Sequence, residues 1–158
     1  MAGHPDTPNP ERVGELAAEH GVTVTYHAPF KHWNVGSYDE TVRRDSVERV
    51  KRTIDAAATA GATGVVVQGG LVPHRYHEWV RERARENARL SLAECDEYAQ
   101  LVGISLSLEN QPINDQKQRY HTSTADLAEM IDAVDVPTTD LSDTLEVGPP
   151  KRTAHDSA

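Results

Sequence analysis

Glu109 closes the stretch Ile104-Ser-Leu-Ser-Leu-Glu-Asn-Gln-Pro112, an alternating apolar run whose single strong acid falls where a strand has to stop. Parallel α/β architectures build their active sites on the loop face beyond the C-terminal ends of strands, so a carboxylate there is a candidate catalytic base or metal ligand. The plainer alternative is a solvated Glu at a strand end. Other polar residues punctuate the chain at equivalent places: His27 after Val22–Tyr26, Gln68 after Val65-Val66-Val67, Asn110 beside Glu109, and Glu146 near the end of Leu141–Val147. Imidazole and carboxylate together suit a borderline divalent ion such as Zn or Mn, which acts as a Lewis acid on a carbonyl or phosphoryl oxygen. Histidines are common in loops, and this chain also carries His32, His74, His77 and His121. His27 is therefore selected by its place at a strand end, not by its type.

Alternating helices and strands must position these residues. Pro10 and Glu11 open a helix carrying Val13, Leu16 and Ala17 that stops at His20-Gly21, and a β-branched strand follows. Asp45-Ser-Val-Glu48 has the form of a helix start with an acid three residues on, and Val47, Val50, Ile54, Ala57 and Ala58 make one apolar face that ends at Gly61. A longer helix is predicted from His77 to Val102, with Val80, Ala84, Ala88, Leu92, Cys95, Ala99 and Val102 recurring at three- or four-residue steps and Gly103 as its stop. The mixed charges from Arg81 to Glu86 then form a solvated face. A polar loop is predicted from Gln111 to Thr122. Ser123 or Thr124 caps a last helix with Leu127, Met130, Ile131 and Val134 inward, broken at Val136-Pro137. Strands separated by helices indicate βαβ units and a parallel sheet, with right-handed crossovers. No Gly-rich phosphate loop follows any strand, so a nucleotide-binding open sheet has no support.

Composition narrows the classes. The 158 residues suffice for one domain, and no apolar run approaches the roughly 20 residues of a membrane span. The N-terminus lacks the basic and apolar regions of an export signal, so a cytoplasmic location is expected. Cys95 is the only cysteine and is expected to be a small buried apolar residue rather than part of a disulfide or thiolate cluster. Acids outnumber bases 25 to 16, with a net charge of -9, which argues against attraction to nucleic acid phosphates. Only four of the bases are Lys, a balance resembling that of proteins adapted to high salt, where such a surface is screened.

Taken in order, Tyr26-His-Ala-Pro-Phe30, Asn34, Arg44-Asp-Ser-Val47, Ala60-Gly-Ala-Thr-Gly-Val-Val-Val67 and Leu108-Glu-Asn110 resemble the xylose isomerase-like barrel superfamily, which includes sugar (phosphate) isomerases and epimerases and endonuclease IV. The similarity runs through most of residues 11 to 148. It implies a divalent metal, with Glu109 as ligand and proton-transfer residue, His27 as a substrate or metal contact, and Gln68 and Asn110 beside the substrate. Two positions depart from the pattern. Gln68 stands where the endonuclease branch has a metal-binding His, and an amide hydrogen-bonds a sugar hydroxyl better than it ligates Zn. The family's Leu-Asp-x-Gly-His segment reads Leu145-Glu-Val-Gly-Pro149, leaving Glu146 as a substitute ligand.

The fold implied is α/β, a partial (β/α)8 TIM barrel of about four βα units over residues 1–148, with 149–158 expected to be a disordered tail; a whole barrel needs roughly 250 residues. Open strand edges then call for self-association or a partner chain that completes the barrel. The leading functional reading is a truncated sugar (phosphate) isomerase or epimerase, whose chemistry is metal-assisted proton transfer next to a sugar carbonyl, expected to be inactive alone. A non-enzymatic half-barrel or gene fragment stays open as the alternative. An abasic-site nuclease is disfavoured by Gln68, Pro149 and the acidic charge.

Overall fold

The computed structural model describes residues 9–134, and every structural statement below concerns those residues. Glu146 and the expected strand over 141–147 lie outside them, as does the expected tail. The order of elements is α1 (Pro10–His20), β1 (Thr25–His27), α2 (Glu40–Thr59), β2 (Gly64–Gln68), β3 (Leu71–Pro73), α3 (Glu78–Val102), β4 (Ser105–Glu109), β5 (Lys117–Arg119) and α4 (Thr124–Val134). Strands β1, β2 and β4 form a parallel sheet in that spatial order, while β3 and β5 form a separate antiparallel pair. This is the α/β arrangement of a partial TIM barrel, with helical crossovers carrying the chain between parallel strands.

The parallel register places Thr25, Gly64 and Ser105 in one row, and then Tyr26 beside Val65 and Leu106. Successive side chains alternate between faces, so each strand divides cleanly. One face presents Tyr26, Val65, Val67, Leu106 and Leu108, and these join Val47, Val50, Ile54 and Ala57 of α2 and Ala84, Ala88, Leu92, Cys95 and Ala99 of α3 in a single core. The opposite face carries Thr25, His27, Gln68, Ser105, Ser107 and Glu109. The polar strand-end residues His27, Gln68 and Glu109 share that second face. In a closed barrel it is the interior.

Helix ends largely follow the sequence. Asn9 caps α1 through Arg12, and Gly103 ends α3 in the left-handed region (φ 75°), with its N–H directed at Ala99 and Gln100. Ser123 and Asp126 cap α4 reciprocally: Ser123 Oγ accepts from the Asp126 N–H while Asp126 accepts from the N–H groups of Thr122 and Ser123. The start of α2 differs from expectation. Asp39 accepts from the N–H groups of Thr41 and Val42, so the helix begins at Glu40, and Ser46, within it, donates back to the Val42 carbonyl. Val102, expected on the inward face of α3, is 37% exposed at the helix end. Cys95 is fully buried, and burial pushes its thiol up to about 12.

The stretch from Gln111 to Thr122, expected to be loop, contains β5, which pairs with β3 in the register Leu71 to Arg119 and Pro73 to Lys117. This strap then returns to the sheet: the Gln111 N–H donates to the His121 carbonyl at 2.6 Å, and the His121 ring lies against Gly69. A Cβ at position 69 would sit 1.8 Å from the ring, so only glycine leaves room for it. His121 has no solvent exposure and neither ring nitrogen has a protein partner. Burial pushes its pKa down to about 4, with Asp126 opposing and Arg85 adding to the effect.

Helices α2 and α3 are clamped across their exposed seam by Glu94, which accepts from Arg44 Nη2 at 2.9 Å and Lys51 Nζ at 2.7 Å. The hydrogen bond from Arg44 does most to hold the Glu94 carboxyl down at about 2, the Lys51 contact adds to it, and desolvation works against both. His121 and Glu94 predict two separate pH windows. The unfolded His121 takes up a proton below about 6.5 while the native one resists until about 4, so stability present above 6.5 falls by about 3 kcal/mol as the pH drops across that interval. Glu94 stays ionised in the native state well below 4.5, so its contribution is present above 4.5 and lost as the pH falls toward 2. Urea midpoints measured from pH 7 to pH 3 should show both declines. His121→Leu should flatten the upper one, and Glu94→Gln should flatten the lower one while costing about 1 kcal/mol at pH 7 after solvent screening. A His121→Leu profile that keeps its slope between pH 6.5 and 4 would contradict the burial of a neutral ring.

Candidate functional site

Strands β1, β2 and β4 each end in a polar residue on the same face: His27, Gln68 and Glu109. Gln68 stands directly opposite Glu109 in the register, whereas His27 is opposite Val66, one step lower on that face. Adjacent strands lie about 4.8 Å apart, so His27 and Glu109 must reach across β2, over a backbone separation of roughly 10 Å. They meet above it. His27 Nε2 is 3.0 Å from Glu109 Oε2, and Gln68 Nε2 donates to that same oxygen at 3.0 Å.

The hydrogen-bonding logic of this trio is constrained at its far end. His27 Nδ1 lies 2.7 Å from the Ala28 carbonyl oxygen, which can only accept, so Nδ1 carries a hydrogen. Nε2 then either bears a second proton, making an imidazolium paired to the carboxylate, or turns its lone pair toward Glu109. Two acceptors 3.0 Å apart repel unless they share a proton or a cation. Phe30 packs edge-on against the His27 ring, with centroids 5.2 Å apart, and limits its rotation. The site is half open: the side chains of His27 and Glu109 are 39% and 20% exposed.

The two donors fit part of a divalent ion's shell. Ligand distances near 2.1 Å put neighbouring ligands of an octahedral ion about 3 Å apart. A ring whose other nitrogen donates to a backbone carbonyl is the usual arrangement of a metal-ligating His. No group of three or more His, Cys, Asp or Glu converges among the described residues, so His27 and Glu109 could supply only part of such a shell. Glu146, the sequence's candidate for a further ligand, lies outside those residues. Asn110, expected at the substrate, follows Glu109 directly but takes no part in the trio, and its Oδ1 is buried without a protein partner.

A small cleft borders Gln68, lined among others by Phe30, Trp33, Val50, Val67, Leu71 and Gln111. The loop after β1 supplies its aromatic residues. The Asn34 side chain accepts from the N–H groups of Gly36 and Leu71 and donates to the Leu71 carbonyl, and the Arg49 guanidinium stacks 3.7 Å above Trp33. Sequence reading missed Gln111 and His121 as parts of this region. Their burial depends on the β3–β5 pairing, which no local pattern announces.

The fold is shared with known proteins. The family model described as "Xylose isomerase-like TIM barrel" matches residues 2–141. An uncharacterised protein of Methanocaldococcus jannaschii is 35% identical over 98 residues, 62% of this chain and 33% of that protein. Among solved structures, a D-tagatose 3-epimerase-like protein superposes with a TM-score of 0.70 at 29% identity, covering 79% of this chain and 46% of its own. An L-ribulose 3-epimerase gives 0.69 at 20% identity, covering 83% and 44%, a likeness of fold. The chain thus spans about a third of that curated relative and under half of these structures. The partial barrel, the strand-end trio on its inner face and the match over residues 2–141 together place this chain in the xylose isomerase-like TIM barrel family.

Proposed function

We propose that this chain carries one half of a metal-assisted proton-transfer site acting next to the carbonyl of a sugar or sugar phosphate, as in an isomerase or epimerase. The observation that carries the reading is the 3.0 Å approach of His27 Nε2 to Glu109 Oε2 at the C-terminal ends of parallel strands. Glu109 is the proton-transfer residue: its carboxylate is held by Gln68 on one oxygen and is close enough to open solvent to meet a substrate C–H. His27 and Glu109 would hold a divalent ion, Mn or Zn, with Glu146 as a further ligand. When bound, such an ion polarises the sugar carbonyl and so makes the adjacent C–H more acidic. Gln68 and Asn110 are the substrate-facing amides, suited to hydroxyl groups. The likeness to a D-tagatose 3-epimerase-like protein supports the substrate class.

Proton transfer between the two faces of an enediolate needs an acid and a base held together with an electrophile, and the reaction slows sharply when one is absent. The described strand ends offer one carboxylate, Glu109. The remaining groups belong to a further part of the barrel, a second copy or a partner chain. This also keeps a second reading in view, a non-enzymatic half-barrel, which the incomplete donor set favours.

Calorimetric titration of Mn into the chain should show weak binding, because His27, Glu109 and Glu146 make at most a partial shell, and Glu109→Gln should abolish it. Tight binding that survives Glu109→Gln would place the metal elsewhere. The isolated chain should exchange ketose protons with deuterated buffer negligibly, even with Mn present. Robust exchange that disappears in Glu109→Gln would show that copies of this chain assemble a working site.

A further inference from the structure

From Pro112 to Arg119 the strap contributes no buried residue, and Ile113 stands 68% exposed. Three buried side chains anchor its two ends: Gln111, Tyr120 and His121. Each carries polar atoms without a protein partner, namely Gln111 Oε1, the Tyr120 hydroxyl and both ring nitrogens of His121. Buried polar groups normally have partners, and one that lacks them gains hydrogen bonds to water when it is exposed. A segment with so little apolar burial and so much to gain from solvent lies at the low-stability end of a fold, where local opening precedes global unfolding. Its closure is tied to the ends of two strands. The His121 ring rests on Gly69, which follows Gln68, and the Gln111 N–H, two residues beyond Glu109, donates to the His121 carbonyl at 2.6 Å.

We propose that His121 is an acid-sensitive latch: uncharged, its ring seats on Gly69 and holds residues 111–121 closed against the ends of β2 and β4, and on taking up a proton it leaves that seat and the strap opens. The proposal goes beyond the sugar reading and stands whether or not the trio binds a metal. The sign of the pH dependence follows from what faces the ring. Desolvation is the largest effect and opposes a proton there; Asp126 of α4 favours one, and Arg85 of α3 disfavours it. The neighbouring Tyr120 ring meets it edge-on and uncharged, and β2 presents only Gly69. The closed ring therefore resists protonation down to about 4, whereas an opened one titrates near 6.5. Closure is fully favoured above 6.5 and is lost progressively as the pH falls toward 4.

Amide hydrogen exchange of the full chain, followed by mass spectrometry and corrected for the intrinsic pH dependence of exchange, reads the opening directly. In the wild type, residues 110–121 should open roughly tenfold or more often than β2 and α3. Their opening constant should rise about 20-fold from pH 7 to pH 5. His121→Leu should flatten that rise to below about threefold. Gly69→Ala supplies the converse variant. The three atoms nearest an added Cβ all belong to the His121 ring, and the backbone at Gly69 is not in the left-handed region, so the substitution strains the latch alone. It should open the strap at pH 7 while α3 keeps its protection. A wild-type strap that exchanges only together with β2 and α3, or whose opening is indifferent to pH between 7 and 5, would overturn the proposal without any variant having to fold. His121→Leu that keeps the wild-type rise, or Gly69→Ala with a strap as protected as the wild type's, would overturn it as well.

Discussion

The site depends on one contact, the approach of an imidazole nitrogen to a carboxylate oxygen across an intervening strand. His27 is pinned from behind by the Ala28 carbonyl, which settles its Nδ1 as a donor and directs Nε2 at Glu109. Gln68, standing on the strand between them, donates to the oxygen that His27 faces and leaves the carboxylate little freedom to turn away. Three strands therefore converge on a single oxygen atom. Two electron-rich atoms 3.0 Å apart repel unless a proton or a cation lies between them, which is what the proposed metal site would supply.

Holding that contact is the work of the rest of the fold. Parallel pairing places Gln68 level with Glu109, and a register slip of one residue would send one of them into the helical layer. The slip is prevented by the other face, where Val65, Val67, Leu106 and Leu108 enter the core formed with α2 and α3. Glu94, shared by Arg44 and Lys51, locks those two helices together on the solvent side. Apolar burial thus sets the register and the register brings the polar residues together, so the core and the site are consequences of one alternating pattern. Within the described residues β1 and β4 are both sheet edges, which is how a partial barrel of a longer-barrelled family presents itself.

Much of this was legible from the amino-acid sequence because the relevant signals are local. The alternation of Ile104 to Glu109, the continuous valines before Gln68 and the glycine stops at Gly61 and Gly103 each mark a strand or a helix end within a few residues. What was not legible depended on tertiary partners. Leu71-Val72-Pro73 and Lys117-Gln118-Arg119 carry no alternation long enough to announce a strand, and they pair only because the chain returns over the sheet. The burial of Gln111 and His121 follows from that return. The start of α2 was misread for a different reason: Asp39 and Asp45 are equally plausible caps by residue type, and the choice is made where Ser46 Oγ accepts from the Asn34 N–H and so ties the preceding loop to the helix interior. Glu146, whose role was read from its place in a family segment, lies outside the described residues.

The central claim is that His27 and Glu109 share a cation, and the state of the His27 ring reports on it most directly. Long-range proton–nitrogen correlation spectra of the chain, recorded at neutral pH with and without added Zn, assign which ring nitrogen is protonated. The account predicts a protonated Nδ1 throughout, with Nε2 bound to the metal once Zn is added, and loss of the Zn response in Glu109→Gln. A neutral ring with a bare Nδ1, indifferent to Zn and to Glu109→Gln, would contradict it.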